Sequence, residues 1–244
     1  MNKNLSFTEN LCWNTLNDNI DVIPSLSITK ASFLCNCSTA TIVRTLKKKG
    51  FTGYIDFKNK INKVKNPFSN LDSLTSNQKN IILKNINEVR NTLEMLNVDI
   101  MSRCIDEIFT YKSIFIFARG FSELLAKEMT TKLQLLNKNV QLITDPDIIE
   151  KISNKVSKGQ LVIFISLNGK TKELVYASNI LKEHKIKTIC ITTNQNSILA
   201  QNSTIKLIGY KSKMTSFPDF EVHSRLPLDV LVRCILDLYV SKYS

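Results

Sequence analysis

After residue 110 the chain alternates short apolar runs with longer amphipathic segments, and this alternation restricts the fold more than any other feature. The runs are nearly continuous, as in strands that are buried on both faces of a parallel sheet. The segments between them have the apolar spacing of helices, which would cover those faces. The sequence therefore predicts a doubly wound, parallel, five-stranded α/β domain. We expect strands at 113–118, 140–144, 161–165, 187–192 and, more weakly, 204–208, and helices at 121–137, 146–156, 170–184, 196–202 and 224–242.

The first quarter of the chain is of a different kind, because residues 1–65 contain no convincing strand. Two short helices are expected at 28–35 and 39–49, joined by a tight turn. Ser38 is a good N-cap for the second helix, and Gly50 would end it. An all-α helix-turn-helix domain is therefore predicted for the N-terminal part.

The two parts are joined by a linker at 66–74 and by predicted helices at 75–110. The apolar positions after Thr75 recur every three or four residues, which predicts an amphipathic helix of about 20 residues. Asp99 could cap the next helix. We expect domains at 1–74 and 111–244, with 75–110 connecting them. The apolar stripe of the first connecting helix is Ile82, Ile86, Val89, Leu93 and Leu96.

Composition excludes several classes of protein. No apolar run approaches the roughly 20 residues of a transmembrane helix, so we expect a cytoplasmic protein with no membrane partner. The six cysteines and two histidines lack zinc-ligand spacing, and we expect neither a metal nor a cofactor. The net charge is +12, and residues 1–65 carry ten basic against four acidic residues. This concentration of positive charge points to a polyanionic partner of the N-terminal domain.

The predicted second helix of the N-terminal domain has side chains that suit DNA. Short residues at its start would let the helix end enter a major groove, and their hydroxyl and methyl groups could meet phosphates or base edges. Arg44 could reach a guanine or a phosphate, and lysines would attract phosphates irrespective of sequence. A small helical bundle with a solvated lysine face is the alternative. The candidate DNA-binding residues are Ser38, Thr39, Ala40, Thr41, Arg44, Lys47 and Lys48.

These residues carry a resemblance to a known family. Ser38-Thr39-Ala40-Thr41-Ile42-Val43-Arg44, followed by the turn Lys49-Gly50-Phe51, resembles the DNA-binding domain of the RpiR (MurR-like) bacterial transcriptional regulators. In that family a Ser-x-x-Thr-(Val/Ile)-x-Arg stretch opens the recognition helix and a Leu-Gly-Phe turn follows it. Lys49 stands here where the family usually has Leu.

Two polar loops follow predicted strands of the α/β domain. One is 118–122 and the other 166–171, and each combines glycine with hydroxyl residues where a helix begins. Free backbone N–H groups and the helix dipole favour an anion at such places, and ligands of doubly wound sheets bind beyond the carboxyl ends of strands. Plain capping by Ser and Asn is the alternative. The residues that fit a phosphate in these loops are Gly120, Ser122, Ser166, Asn168, Gly169 and Thr171.

Together the two loops resemble those of the SIS (sugar isomerase) domain, over about 111–210. That family has a Ser-x-Ser-Gly-x-(Thr/Ser) phosphate loop and an earlier Gly-x-Gly-x-Ser loop. Asn168 replaces the second serine of the phosphate loop, and Ala118 replaces the first glycine of the earlier loop. The order of helix-turn-helix and then SIS domain is the order in the RpiR regulators.

The resemblance implies a DNA-binding regulator of sugar or amino-sugar metabolism whose affinity for a palindromic operator responds to a phosphorylated sugar. A homodimer or tetramer and no catalytic residue are expected. A ligand-blind DNA-binding dimer is one alternative, supported by Ala118 and Asn168. A sugar-phosphate isomerase is another, with Glu221 and His223 as candidates for its acid and base.

Overall fold

The computed structural model describes residues 5–65, 68–215, 217, 219 and 222–243. The chain divides into two compact units, Met1–Lys79 and Asn80–Ser244. Residues 66 and 67 of the predicted linker lie outside the described part. Within that part, no helix combines the length and apolar character that crossing a bilayer requires.

The first unit is helical, and its core is shared by all four of its α-helices. Apolar side chains such as Leu16, Ile42 and Phe57 are buried against one another. The fourth of these helices was not predicted from the sequence. Tyr54, Phe57 and Ile61 nevertheless recur in it at helical spacing, and all three are buried. The helices are α1 (Phe7–Asp18), α2 (Ile28–Leu34), α3 (Thr39–Lys48) and α4 (Tyr54–Lys65), with 3-10 turns at Ile23–Ser25 and Ser69–Leu71.

The rest of the chain has the alternating order that the apolar runs predict. Two helices precede the first strand, and strands and helices then alternate, with a long helix last. The elements are α5 (Ser76–Glu94), α6 (Val98–Thr110), β1 (Ser113–Ala118), α7 (Ser122–Leu135), β2 (Asn139–Ile143), α8 (Pro146–Ser153), β3 (Gln160–Ile165), α9 (Lys172–Glu183), β4 (Lys187–Thr192), α10 (Ile198–Asn202), β5 (Ile205–Ile208) and α11 (Leu226–Tyr243).

The five strands form one parallel sheet in the order β2-β1-β3-β4-β5. Alternate side chains of each strand point to opposite faces, so that Ile114 and Ile116 pack with α6, α7 and α11. Phe115 and Phe117 pack with α8, α9 and α10 on the other face. The predicted doubly wound, five-stranded parallel domain is confirmed. β2 pairs with one edge of β1, and β3 pairs with the opposite edge of β1. The direction in which strands are added to the sheet therefore reverses between β1 and β3.

One predicted cap is wrong. Asn97, not Asp99, is the N-cap of α6, and its Oδ1 accepts a hydrogen bond of 2.9 Å from the backbone N–H of Ile100. Asp99 lies inside the first turn of α6, where a negative charge interacts favourably with the helix dipole.

The predicted amphipathic helix after Thr75 is present as α5, but its buried residues are not the apolar ones. The residues of α5 that are buried are polar, namely Lys84, Glu88 and Thr92, which share one face at a spacing of four residues. Ile82 and Leu93 of the apolar stripe are instead exposed. The polar face is turned inward because it receives backbone N–H groups of the loop after β5: Tyr210 donates to Thr92 and Ser212 donates to Glu88.

Candidate DNA-binding and effector sites

The helix-turn-helix is formed by α2 and α3. Ile42 and Leu46 of α3 are fully buried in the core of the first unit. Asn36 takes a positive φ of 50° in the turn between the helices, a conformation that Asn tolerates better than most residues. Ser38 is the N-cap of α3, and its Oγ accepts a hydrogen bond of 3.1 Å from the backbone N–H of Thr41. The predicted N-cap of α3 is therefore confirmed. With Ile42 and Leu46 in the core, the opposite side of α3 is exposed.

A groove of about 610 Å³ runs along the exposed side of α3. It brings together five of the seven candidate DNA-binding residues, but not Ser38 and Thr41. The hydroxyl groups of Ser38 and Thr41 lie 2.9 Å apart, and Thr41 is buried. Val43, which follows the buried Ile42, also lines the groove. The lining residues are Ile28, Thr39, Ala40, Val43, Arg44, Lys47 and Lys48.

A buried carboxylate holds two of these cations. Glu9 of α1 accepts a hydrogen bond of 2.7 Å from Nζ of Lys48, and its other oxygen lies 3.6 Å from Nε of Arg44. The bond from Lys48, followed by that from the Ser6 backbone, lowers the pKa of Glu9 to about 2. Glu9 was not predicted from the sequence as a partner of these cations. Ser6 and Glu9 do have the spacing of a capping box, and they form one. Glu9 therefore limits the positions that the Arg44 and Lys48 side chains can adopt beside the groove.

We expect Ser38→Ala to lower the stability of the N-terminal unit by about 1 kcal/mol, because the N–H of Thr41 loses its acceptor at the start of α3. Chemical denaturation monitored by the fluorescence of Trp13 would measure this. Ser38→Asp, which restores an acceptor, is the matched control and should stay close to the parent protein. Equal losses for both variants would contradict a capping role.

A second cavity, of about 290 Å³, includes residues of the loops that follow β1 and β3. It lies where the strand order reverses, the place at which doubly wound sheets bind ligands. Four of the six candidate phosphosugar-binding residues line it; Gly120 and Gly169 do not. The lining residues are Arg119, Ser122, Ser166, Leu167, Asn168, Lys170, Thr171 and Arg225.

The loop after β3 is fixed by its own hydrogen bonds and by the loop after β4. The Gly169 N–H donates to Oγ of Ser166 at 3.2 Å, and Gly169 has a positive φ of 62°. The hydroxyl groups of Thr192 and Thr193 both donate to the carbonyl of Leu167, at 3.0 and 2.7 Å. The phosphate-loop candidate is therefore shaped before any ligand binds, which reduces the entropy cost of binding.

Among the described residues, the starts of α7 and α9 receive no capping hydrogen bond from the side chains of their N-cap residues. Thr171 is the N-cap of α9 and Phe121 that of α7, and neither makes a side-chain capping bond to the part of the chain that is described. Plain capping therefore does not account for the hydroxyl group of Thr171. An anion in the cavity would meet these helix ends, whose N–H groups and dipoles favour negative charge.

Cations surround the same cavity. Arg119 is held by its Nη1, which donates to the Thr144 carbonyl at 2.5 Å and lies 3.7 Å from Glu123. Burial lowers the pKa of the Arg225 guanidinium. Burial, followed by repulsion from Arg225 and Lys170, lowers the pKa of Lys211, whose Nζ donates to Oδ1 of Asn168 at 2.7 Å. Such crowding of positive charge is costly, and an anion in the cavity would relieve it.

The two departures from the SIS pattern have different positions. Ala118 is fully buried in the core on one face of the sheet and does not line the cavity, so its methyl group does not narrow the site. Asn168 lines the cavity. Arg225 and Lys211 were not predicted from the sequence as neighbours of these loops, because they come from segments distant in the chain. Of the isomerase candidates, Glu221 lies outside the described residues, and His223 lines a neighbouring groove that Arg225 also lines.

Comparisons with known proteins agree with this arrangement. Residues 107–217 match the SIS domain family. An uncharacterized HTH-type transcriptional regulator of Clostridium perfringens is 27% identical over 198 residues, which cover 77% of this chain and 71% of the relative.

Two solved structures share the fold. The NanR protein of Vibrio vulnificus, solved as a complex with ManNAc-6P, has a TM-score of 0.60 at 18% identity, covering 98% of this chain and 88% of that one. The sugar isomerase domain of an RpiR transcription factor from Sphaerobacter thermophilus has a TM-score of 0.62 at 16% identity, covering 68% of this chain and 90% of that one. The first of these structures is similar over nearly the whole chain, and the second over about two thirds of it.

Proposed function

Because the chain belongs to the RpiR-family regulators, in which a helix-turn-helix precedes a SIS domain, we propose that it is a transcriptional regulator whose operator affinity is set by a phosphorylated sugar. The observation that carries this proposal is the second cavity, in which serine and threonine hydroxyl groups, helix starts and cations converge. The protein acts as a sensor and not as an enzyme.

The operator is bound by α3. Thr39, Ala40 and Arg44 read bases from the groove side of the helix, whereas Lys47 and Lys48 contact phosphates. Ser38 and Thr41 act indirectly, because their hydroxyl groups bond within the cap. This division of roles predicts sequence selectivity from Arg44 and salt-dependent affinity from the lysines.

The phosphate of the effector binds beside α7 and α9, where Ser122, Ser166 and Thr171 line the cavity. Arg119 and Arg225 neutralise its charge from two sides. The Vibrio NanR protein forms a complex with ManNAc-6P, which is a phosphorylated amino sugar. For this chain, that complex supports the class of ligand, a phosphosugar.

The regulator is a homodimer, or a tetramer made of two such dimers. The exposed apolar side chains of α5, including Ile81, Ile82, Leu93 and the adjoining Met95, would be covered by a second copy. A twofold dimer presents two α3 helices and so binds a palindromic operator. A coupling of about 1–3 kcal/mol between effector and operator would change the operator affinity about 5- to 150-fold.

We expect a thermal-stability panel of sugar phosphates to identify the effector. A ligand at about 100 times its dissociation constant adds about 2.7 kcal/mol of stability, and its unphosphorylated sugar should add none. Ser166→Ala combined with Thr171→Ala should remove the response while operator binding is kept, because both hydroxyl groups line the cavity.

The matched control is Ser157→Ala combined with Thr110→Ala. It also removes one serine and one threonine hydroxyl group from the same unit, but neither residue lines the cavity. Operator binding would also be measured with each phosphosugar of the panel at saturating concentration. If none of them alters the operator affinity, the proposed sensor function is contradicted and a ligand-blind DNA-binding dimer is favoured.

A further inference from the structure

A cluster of unpartnered polar atoms lies beside the effector cavity. Within the described residues, four side-chain nitrogen or oxygen atoms are shielded from solvent and have no hydrogen-bond partner. One is in the first unit, and the other three are Oε2 of Glu88, Nδ1 of His223 and Nε of Arg225. Buried polar groups are nearly always paired, so three such atoms in one place require an explanation.

The three residues belong to one neighbourhood that joins the cavity. Arg225 lines the cavity itself, and its Nη1 donates to the carbonyl of His223 at 2.7 Å. Glu88 and Arg225 are both close enough to His223 to influence its pKa. The cluster and the cavity therefore share Arg225, and His223 connects Arg225 with Glu88 of α5.

Glu88 is the most constrained member of the cluster. Only 1% of its surface is exposed, and Oε1 accepts the Ser212 N–H at 3.1 Å. The other oxygen has no partner among the described residues. A buried carboxylate with a free oxygen is costly unless that oxygen has a use, because desolvation penalises the charged group.

The hydrogen-bonding capacity of the cluster indicates the kind of ligand. Oε2 of Glu88 can only accept while the carboxylate is ionised, and Nε of Arg225 can only donate. Burial, followed by the charges of Lys211 and Arg225, lowers the pKa of His223, which keeps the imidazole neutral and leaves one nitrogen free to accept. A hydroxyl group can donate and accept at once, and a sugar carries several of them.

We propose that Glu88, His223 and Arg225 bind hydroxyl groups of the sugar whose phosphate occupies the cavity, and so determine which sugar phosphate is the effector. This inference rests on the proposed function and assigns the sugar end of the same site. Because Glu88 belongs to α5, a bound sugar would also tie the cavity to the helix that follows the N-terminal unit in the chain.

The test compares inorganic phosphate with glucose 6-phosphate, fructose 6-phosphate and N-acetylmannosamine 6-phosphate by titration calorimetry on the full chain. We expect at least one sugar phosphate to bind about tenfold or more tightly than inorganic phosphate. In Glu88→Gln that preference should fall about tenfold, while the affinity for inorganic phosphate stays within about twofold. Glu94→Gln, the same change at an exposed position of α5, is the matched control.

Each other outcome has a distinct meaning. An unchanged preference in Glu88→Gln, or equal losses for inorganic phosphate and sugar phosphate, would overturn the sugar-reading role. A parent protein that binds inorganic phosphate as tightly as every sugar phosphate would also overturn it. Absence of binding by any phosphate compound would instead overturn the proposed function. If Glu88→Gln does not fold, the partly exposed His223→Leu gives the same comparison and should show the same loss of preference.

Discussion

Arg44→Ala is expected to abolish operator preference. The Arg44 side chain is 64% exposed on the groove side of α3, and Glu9 lies 3.6 Å from its Nε. The fork of a guanidinium can bind a guanine at two points, and loss of such a contact costs about 1–3 kcal/mol. The proposed homodimer would lose two such contacts, so the operator affinity should fall by about 2–6 kcal/mol, which is about 30-fold or more.

The operator would be selected from random duplexes, and fluorescence anisotropy would then measure affinity for it and for a scrambled duplex. Arg44→Ala should bring the two affinities together. Arg103→Ala removes an equal charge from an exposed position of α6 and should leave both affinities unchanged. Operator selectivity that persists in Arg44→Ala would mean that α3 does not read the bases through this side chain.

Lys47 gives a second comparison, because it contributes charge without a planar fork. Lys47→Ala should weaken binding to both duplexes alike and reduce the salt dependence by about one counterion per subunit. The contrast between the two variants separates base reading from phosphate attraction on one helix.

The sheet was predictable because its evidence is local. Runs such as Ile114–Ala118 are continuous, glycines stand beside them, and the parallel order follows from the helices between them. The cap Ser38 was predictable for the same reason, since a cap acts on the next three residues. Short-range chemistry is not always sufficient, because Asn97 caps α6 where Asp99 was predicted to do so.

Predictions that needed a partner distant in the chain were less successful. Periodicity predicts that α5 is amphipathic, but it does not predict that the polar residues Glu88 and Thr92 are buried, because they accept hydrogen bonds from N–H groups more than 100 residues away. Arg225 and Lys211 were overlooked as site residues because their proximity to the loop at 166–171 depends on the closed fold. The hydroxyl residues that line this cavity stand in loops that the sequence pattern indicates, whereas the approach of Arg225 and Lys211 depends on the tertiary structure.

Gly169→Ala is expected to be the most damaging single substitution in the loop between β3 and α9. Gly169 has a φ of 62°, and a Cβ there would lie 2.3 Å from Oγ and 2.6 Å from Cβ of Ser197. The left-handed conformation costs an alanine about 1–2 kcal/mol, and overpacking adds about 1–3 kcal/mol. We expect a loss of about 2–5 kcal/mol in the free energy of unfolding, together with loss of effector binding.

Two other glycines of the same unit separate these contributions. Gly120 also has a positive φ, of 60°, but a Cβ there meets nothing within 4 Å, so Gly120→Ala should cost only about 1–2 kcal/mol. Gly159 has open space as well and no positive φ, so Gly159→Ala should stay within about 0.5 kcal/mol of the parent protein. Chemical denaturation of the three variants would measure the series, and equal effects at Gly120 and Gly169 would exclude the clash.

Ser197 cannot simply move aside to accept the new methyl group. It is buried as the N-cap of α10, where its Oγ donates to the Asn194 carbonyl at 2.8 Å and accepts the Ala200 N–H at 3.2 Å. Ser197→Gly removes both clashing atoms at a cost of only a few tenths of a kcal/mol for the cap. In the Ser197→Gly background, Gly169→Ala should cost only the energy of the left-handed conformation, because the clash is absent. The double-mutant cycle should therefore show a coupling energy equal to the overpacking cost, about 1–3 kcal/mol. Strict additivity would mean that the loop between β3 and α9 relaxes around the methyl group, and effector binding should then survive Gly169→Ala.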